Sequence, residues 1–179
     1  LSSKSLKAAL KEGLLDSGIN VVDYGEITTP MHYYTRYIEN TYGIMVTASH
    51  NPKDDNGFKF SFDKLANARG EMIEDFKEFT FQGNFLDGNG KCEERTIKDQ
   101  YLKYLQDNIQ MNNKSVKVVF DPGNGVTSTI IKDAIKLFPN IEPIYICDIS
   151  DGTFPNHHPD PAIEENMQML KEKVLETKA

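Results

Sequence analysis

The sequence predicts an α/β layer architecture. Segments with helical apolar spacing alternate with short β-branched runs, turn formers close most of those runs, and no internal repeat or low-complexity tract interrupts the pattern. Leu6, Ala9, Leu10, Gly13 and Leu14 stand at i, i+3, i+4, i+7 and i+8, a helical stripe ending in Asp16-Ser17-Gly18, where Gly18 suits a left-handed cap. Ile19 to Tyr24 reads as a strand closed by Gly25. Thr29-Pro30 reads as an N-cap followed by a first-turn proline, and Met31, Tyr34, Tyr37 and Ile38 form a helical face. Ile44 to Thr47 is a second buried-type strand.

Ala48 to Gly57 is a run of turn formers and therefore a loop at the carboxyl end of that strand. Phe58 to Phe62 alternates as a half-buried strand, Asn67 to Gly70 is a turn, and Met72, Phe76 and Phe79 mark a helix. Phe81 to Glu94 carries Gly83, Gly88 and Gly90 among acidic and amide residues and reads as a linker, with a domain boundary near Thr96. Beyond it come a helix through Ile97, Tyr101, Tyr104, Leu105 and Ile109, a strand over Val116 to Phe120, and a tight loop at Asp121 to Gly125. A helix through Val126, Ile130, Ile131, Ala134 and Leu137, a strand over Pro143 to Ile149 and a last helix from Asp160-Pro161 complete a βαβ-like second region.

The chain has 179 residues, enough for one domain or two small ones. Twenty Lys and Arg against 27 Asp and Glu leave a net charge of −7, which argues against nucleic acid or an anionic membrane as a partner. No apolar run reaches the roughly 18 residues of a spanning helix. Leu1-Ser2-Ser3-Lys4 is neither a signal peptide nor an initiator start, so the chain reads as a piece of something longer. Cys92 and Cys147 lack disulfide-framework or zinc spacing, which fits a reducing cytoplasm.

Chemistry concentrates in Thr47-Ala48-Ser49-His50-Asn51-Pro52, where a hydroxyl after a buried strand is exposed yet rigidly placed. The bland reading is a strand-to-turn connection in which Ser49 and Asn51 cap the chain locally. A hydrolase would use Ser49 as nucleophile, but the adjacent His50 is poorly placed as its base and no Gly-x-Ser-x-Gly elbow is present. In phosphoryl transfer Ser49 would carry phosphate, with Lys59, His50 and the amide of Asn51 around the phosphoryl oxygens.

Ile44 to Pro52 followed by Asn56-Gly57-Phe58-Lys59 resembles the active-site segment of the α-D-phosphohexomutases, the phosphoglucomutase and phosphomannomutase family. Gly18 to Gly25 with Thr29-Pro30 resembles the preceding part of that family's first domain. Val118 to Gly125 and Asp151 to Pro161 resemble its second domain, so the likeness runs through the whole chain in order, nearest the bacterial phosphomannomutase/phosphoglucomutase branch. The resemblance implies two consecutive three-layer α/β domains with mixed sheets between helices, both incomplete: domain one over residues 1–96 and domain two over 97–179.

It also implies an intramolecular phosphotransferase. Ser49 would be a phosphoserine that donates its phosphoryl group to a hexose monophosphate of mannose or glucose and takes back the other phosphate from a hexose 1,6-bisphosphate. His50 and Asn51 would form its electrostatic surroundings, Asn51 and Lys59 would bind substrate, and Lys59 would either handle protons or stabilise transferred charge. The bland reading of Lys59 is a solvent-facing strand residue. The family's Mg²⁺ would sit on an oxygen of phosphorylated Ser49 and on three aspartates of an Asp-Gly-Asp-Gly-Asp-Arg loop. That loop is absent from these residues, as are the sugar-recognition loop of a third domain and the phosphate-binding loop of a fourth, so the isolated piece is expected to be inactive.

A phosphoglucosamine mutase shares the serine chemistry, and a non-catalytic module with Ser49 as a phosphorylation switch is the reading from another class. His157-His158 between Asp151 and Asp160 reads as a turn and helix cap rather than a metal site. Asp121-Pro122-Gly123-Asn124-Gly125 lacks both dinucleotide and Walker spacing and reads as architecture.

Overall fold

The structure is a computed structural model that describes residues 2–62 and 67–179. Helix α1 (Ser3–Asp16) leads into strand β1 (Val21–Asp23), α2 (Thr29–Glu39), β2 (Gly43–Val46) and β3 (Phe58–Ser61). Then follow α3 (Glu71–Gln82), β4 (Cys92–Glu94), α4 (Lys98–Asn108) and β5 (Val116–Phe120). A 3₁₀ turn (Val126–Thr129), α5 (Ile131–Lys136), β6 (Ile141–Tyr145), a second 3₁₀ turn (Glu164–Met167) and α6 (Gln168–Thr177) close the chain. Among the described residues the strands form three two-stranded ladders, β1–β4 and β5–β6 parallel and β2–β3 antiparallel. The class is mixed α/β, as the alternation predicts.

The α1–β1 corner turns on Gly18 at φ +78°, a conformation that glycine adopts without steric cost. Against this corner lies the glycine-rich stretch that reads as a linker in the sequence. It is packed rather than free: the Gly88 amide donates to Asp16 O at 2.6 Å, the Gly90 amide to Leu15 O at 2.8 Å, and the Lys91 amide to the Asn20 side chain at 2.9 Å. A Cβ on Gly90 would land on the Ile19 carbonyl oxygen, so only glycine lets the two backbones approach this closely. The stretch then enters the sheet as β4, in register Val21↔Cys92 and Asp23↔Glu94.

Three further departures from the sequence reading have local causes. The N-cap of α2 is Thr28, extended at ψ 159°, which makes Thr29 rather than Pro30 the first helical residue. The helix read from Val126 to Leu137 is split at Ile130, because Thr129 Oγ1 donates to the Val126 carbonyl and competes with the helical ladder while Ile130 turns into the core. The strand read over Pro143 to Ile149 instead spans Ile141 to Tyr145, with Pro143 tolerated in a two-stranded ladder. Cys147, at φ +49°, has already left the ladder. The last helix begins at Gln168; Asp160 caps only a turn, its carboxylate accepting the Ala162 amide at 3.0 Å, since Ile163 is extended.

Among the described residues the buried apolar side chains are Met31 on α2, Ile97 before α4 and Ile130 before α5, with Tyr24, Ile27, Tyr34, Tyr101 and Leu102 against them. Burial of this kind contributes about 1.5–3 kcal/mol per large side chain. The core therefore joins the first half of the chain to the second. Lys98 reinforces the junction with an ion pair to Asp133 at 2.6 Å and a hydrogen bond to Thr129 O at 3.2 Å. A second, aromatic cluster of Phe58, Phe60, Phe62 and Phe76 braces β3 against α3. His32 lies buried beneath Gly43, where a Cβ would stand 2.5 Å from its ring. Burial pushes the pKa of His32 down, and the charge of Arg36 adds in the same direction. No described helix is long and apolar enough to cross a membrane.

Candidate active site

Strands β2 and β3 form a hairpin whose long connection, residues 47 to 57, carries the nominated residues. The pairing Val46↔Phe58 closes the ladder, and the Thr47 amide extends it by donating to Gly57 O at 2.8 Å. Beyond that bond the loop supplies its own scaffold. Asn51 N donates to Ala48 O at 3.1 Å, Asp55 N to Pro52 O at 2.9 Å, and the Asn51 amide group to Asp55 Oδ2 at 3.3 Å. Asn56 Nδ2 reaches Ser2 Oγ at 3.1 Å and Ser3 Oγ at 2.9 Å, tying the loop to the start of α1.

Ser49 stands at the exposed tip with φ +59°. A side chain in the left-handed region costs about 1–2 kcal/mol, so the surroundings must hold it there. Thr47 does part of this, since its Oγ1 accepts the Ser49 amide at 3.0 Å. The sequence reading named Ser49 but passed over Thr47, although a hydroxyl two residues before a turn residue is a known backbone acceptor.

His50 and Asn51 are exposed beside Ser49. His50 Nδ1 lies 4.0 Å from Asp160 Oδ1, on the turn before the second 3₁₀ segment. This contact brings the second half of the chain to the serine loop, and no local sequence signal marks it. Lys59 sits one residue inside the same end of the hairpin, opposite Met45, and alternation puts it on the face away from Phe58 and Phe60. It is half-buried and has no ion-pair or hydrogen-bond partner among the described residues. The hairpin thus brings Ser49, His50, Asn51 and Lys59 to one end of one ladder, a backbone-fixed hydroxyl with a lysine nearby.

Donors for a divalent ion are sparse around that hydroxyl. The carboxylate bonded within the loop is Asp55, and it is committed to Asn51. Among the described residues the group of three His, Cys, Asp or Glu side chains close enough to share an ion is Asp121, Cys147 and His157, in the second half. A Mg²⁺ site needing several carboxylates at Ser49 is not completed by these residues.

The second half has its own polar node. Asp121 follows β5 and accepts the Gly123 amide at 2.9 Å, while His157 Nε2 approaches its other oxygen at 2.9 Å. Asn124, almost fully buried at φ +57°, donates to Ile149 O and accepts from Asn156, each at 2.8 Å. These bonds lock the 121–125 loop to the 151–161 loop. Asp121 also hydrogen bonds Cys147, whose thiol is pushed up to about 11 by burial and by that carboxylate.

Comparison with known proteins identifies the family. Residues 1–86 match the family model for phosphoglucomutase/phosphomannomutase alpha/beta/alpha domain I, and residues 99–179 match the model for domain II. A phosphomannomutase/phosphoglucomutase of Pseudomonas aeruginosa is 41% identical over 178 residues, covering 97% of this chain and 37% of that protein. A phosphoglucomutase of Neisseria meningitidis is 37% identical over 175 residues, covering 95% of this chain and 37% of that protein. The crystal structure of a phosphoglucomutase/phosphomannomutase family protein from Burkholderia thailandensis superposes with a TM-score of 0.91 at 34% identity, over 100% of this chain and 40% of that one. The chain thus spans less than half the length of these relatives. With both family models matched in chain order, and with a likeness in sequence and backbone along its whole length, the chain belongs to the phosphoglucomutase/phosphomannomutase family and carries its domains I and II.

Proposed function

We propose that the protein carrying this chain is a cytoplasmic phosphohexomutase that interconverts the 1- and 6-phosphates of glucose or mannose through a phosphoserine at Ser49. The observation that carries the reading is the left-handed, hydrogen-bonded placement of Ser49 at an exposed loop tip, with Lys59, which has no partner among the described residues, on the adjoining strand. In the first transfer a hydroxyl oxygen of the bound hexose monophosphate bonds to phosphorus, the P–Oγ bond of Ser49 breaks, and the hydroxyl proton ends on Ser49 Oγ. The product is a hexose 1,6-bisphosphate. In the second transfer Ser49 Oγ bonds to the other phosphorus of that intermediate, the bond from that phosphorus to the sugar oxygen breaks, the Ser49 hydroxyl proton ends on the sugar oxygen, and phosphoserine is regenerated.

Phosphoryl transfer asks the protein for positioning and for charge around the phosphoryl oxygens rather than for covalent ingenuity. Thr47 fixes the Ser49 backbone, Asn51 offers an amide, and Lys59 and His50 supply cationic or proton-bearing groups. Mg²⁺ is proposed as the cofactor, bound on an oxygen of the phosphoserine. The 179 residues do not complete its ligand set, so none of the steps above is routed through the ion. The further ligands, and recognition of the sugar and its second phosphate, are proposed to come from additional domains of the same protein.

Measured glucose 1-phosphate turnover tests the roles. Ser49→Ala in the full-length protein is expected to abolish it, and Lys59→Met to lower kcat by roughly 10²–10⁴-fold. Lys59→Arg keeps the charge but cannot exchange a proton near neutrality. Recovery in that variant assigns Lys59 to charge stabilisation, and loss with an altered pH profile assigns it to proton handling. Full activity in Ser49→Ala would overturn the reading.

A further inference from the structure

Asp121, from the loop after β5, and Cys147 and His157, from the long connection after β6, converge at the carboxyl ends of the parallel pair β5–β6. The register Phe120↔Tyr145 places Asp121 and Cys147 just beyond the same edge, and the 151–161 loop brings His157 over them. The side chains of His157 and Asp121 are only 14% and 6% exposed. All three donor atoms lie within 4.8 Å of one another.

The hydrogen bonds around His157 leave one contact to be accounted for. His157 Nδ1 lies 2.9 Å from His158 O, and a carbonyl oxygen only accepts, so Nδ1 bears a proton. Nε2 then faces a carboxylate oxygen at 2.9 Å, and a lone pair there would meet an acceptor. A positive charge between the two relieves the repulsion: a proton on the imidazole or a bound cation. The Nδ1 bond to a backbone carbonyl is also the outer contact that orients metal-ligating histidines so that Nε2 points at the ion.

We propose that Asp121, Cys147 and His157 form a binding site for a borderline-soft divalent cation of the zinc type, separate from the serine loop. One imidazole nitrogen, one sulfur and one carboxylate oxygen suit such an ion far better than Mg²⁺, which takes oxygen. Tetrahedral coordination requires donor separations of roughly 3.5 Å, so the sulfur moves inward and the nitrogen and oxygen part slightly. The ion displaces the thiol proton to solvent, and water fills the fourth position. Its effect is to pin the loop that carries Asp160, the residue facing His50. The assignment stands apart from the reaction proposed at Ser49 and survives its failure.

Cobalt titration of the full-length protein, with Mg²⁺ present in excess, tests the site. One equivalent of Co²⁺ is expected to produce a near-ultraviolet thiolate-to-cobalt charge-transfer band that Zn²⁺ abolishes by competition. Cys147→Ser removes the band, and His157→Gln weakens cobalt binding at least tenfold. Absence of a charge-transfer band in the folded wild-type protein at large cobalt excess overturns the proposal and leaves an Asp–His clamp. A band unchanged in Cys147→Ser, arising at the exposed Cys92, overturns it equally. Where Cys147→Ser fails to fold, Cys92→Ser decides: a band that persists in it supports the site, and a band lost in it overturns the proposal.

Discussion

His50 Nδ1 faces Asp160 Oδ1 at 4.0 Å, and this contact links the loop of Ser49 to the second half of the chain. His50 follows Ser49 directly, so a constraint on its ring also limits how the Ser49 backbone can move. Asp160 touches no part of the serine itself in the contacts seen. It is a positioning residue.

Asp160→Asn keeps the oxygen that accepts the Ala162 amide but removes the charge opposite His50. In the full-length protein we expect turnover to fall by about two- to tenfold, in keeping with a partly exposed pair worth at most about 1 kcal/mol. The loss should appear in kcat rather than KM, with little change in thermal stability. An unchanged kcat, or a fall in stability equal to the fall in rate, would show that Asp160 acts only as a turn cap.

Gly90 and Gly83 separate close packing from loop flexibility. Gly90→Ala drives a Cβ into the Ile19 carbonyl oxygen, and Gly83→Ala meets nothing within 4 Å although its φ is +68°. Denaturant midpoints should report a loss of about 1–3 kcal/mol or more for Gly90→Ala. The loss for Gly83→Ala should be nearer 1 kcal/mol, from backbone strain alone. Equal effects would mean that the 88–91 stretch does not pack as described.

His32 should make stability depend on pH in a window where few other groups titrate. Its native pKa is depressed, by burial first and then by Arg36, while the unfolded imidazole has a pKa near 6.5. Below about pH 6.5 the unfolded chain gains a proton that the native state excludes, so the stabilisation present at higher pH is lost as pH falls. His32→Leu should flatten this dependence between about pH 7 and 5. Denaturant melts across that range check it, and parallel curves for both proteins would contradict the assignment.

Much of the serine loop was legible in the sequence because its chemistry is local. Ser49, His50 and Asn51 are contiguous, and Lys59 follows at the start of the next strand, so the hairpin brings together what the sequence already groups. Thr28 and Thr29 illustrate the limit on element ends: either could cap α2, and the extended ψ of Thr28 decides between them. The stretch from Phe81 to Glu94 misled for a different reason. Glycines that permit flexible linkers also permit close backbone contact, and only the opposing Ile19 backbone distinguishes the two. Likewise, Asp121, Cys147 and His157 are brought together by parallel strand order and a loop crossing, neither of which has a local signature. The sequence placed His157 with Asp151 and Asp160 as neighbours, whereas its partner in space is Asp121.

The central claim is that Ser49 carries the transferred phosphate. Incubating the dephosphorylated full-length protein with glucose 1,6-bisphosphate and mapping phosphate by peptide mass spectrometry tests it most directly. The account expects one phosphoryl group per chain, on the peptide containing Ser49, lost in Ser49→Ala and discharged by adding glucose 1-phosphate. Phosphate appearing on another residue, or a fully active enzyme with Ser49 unmodified throughout turnover, would contradict it.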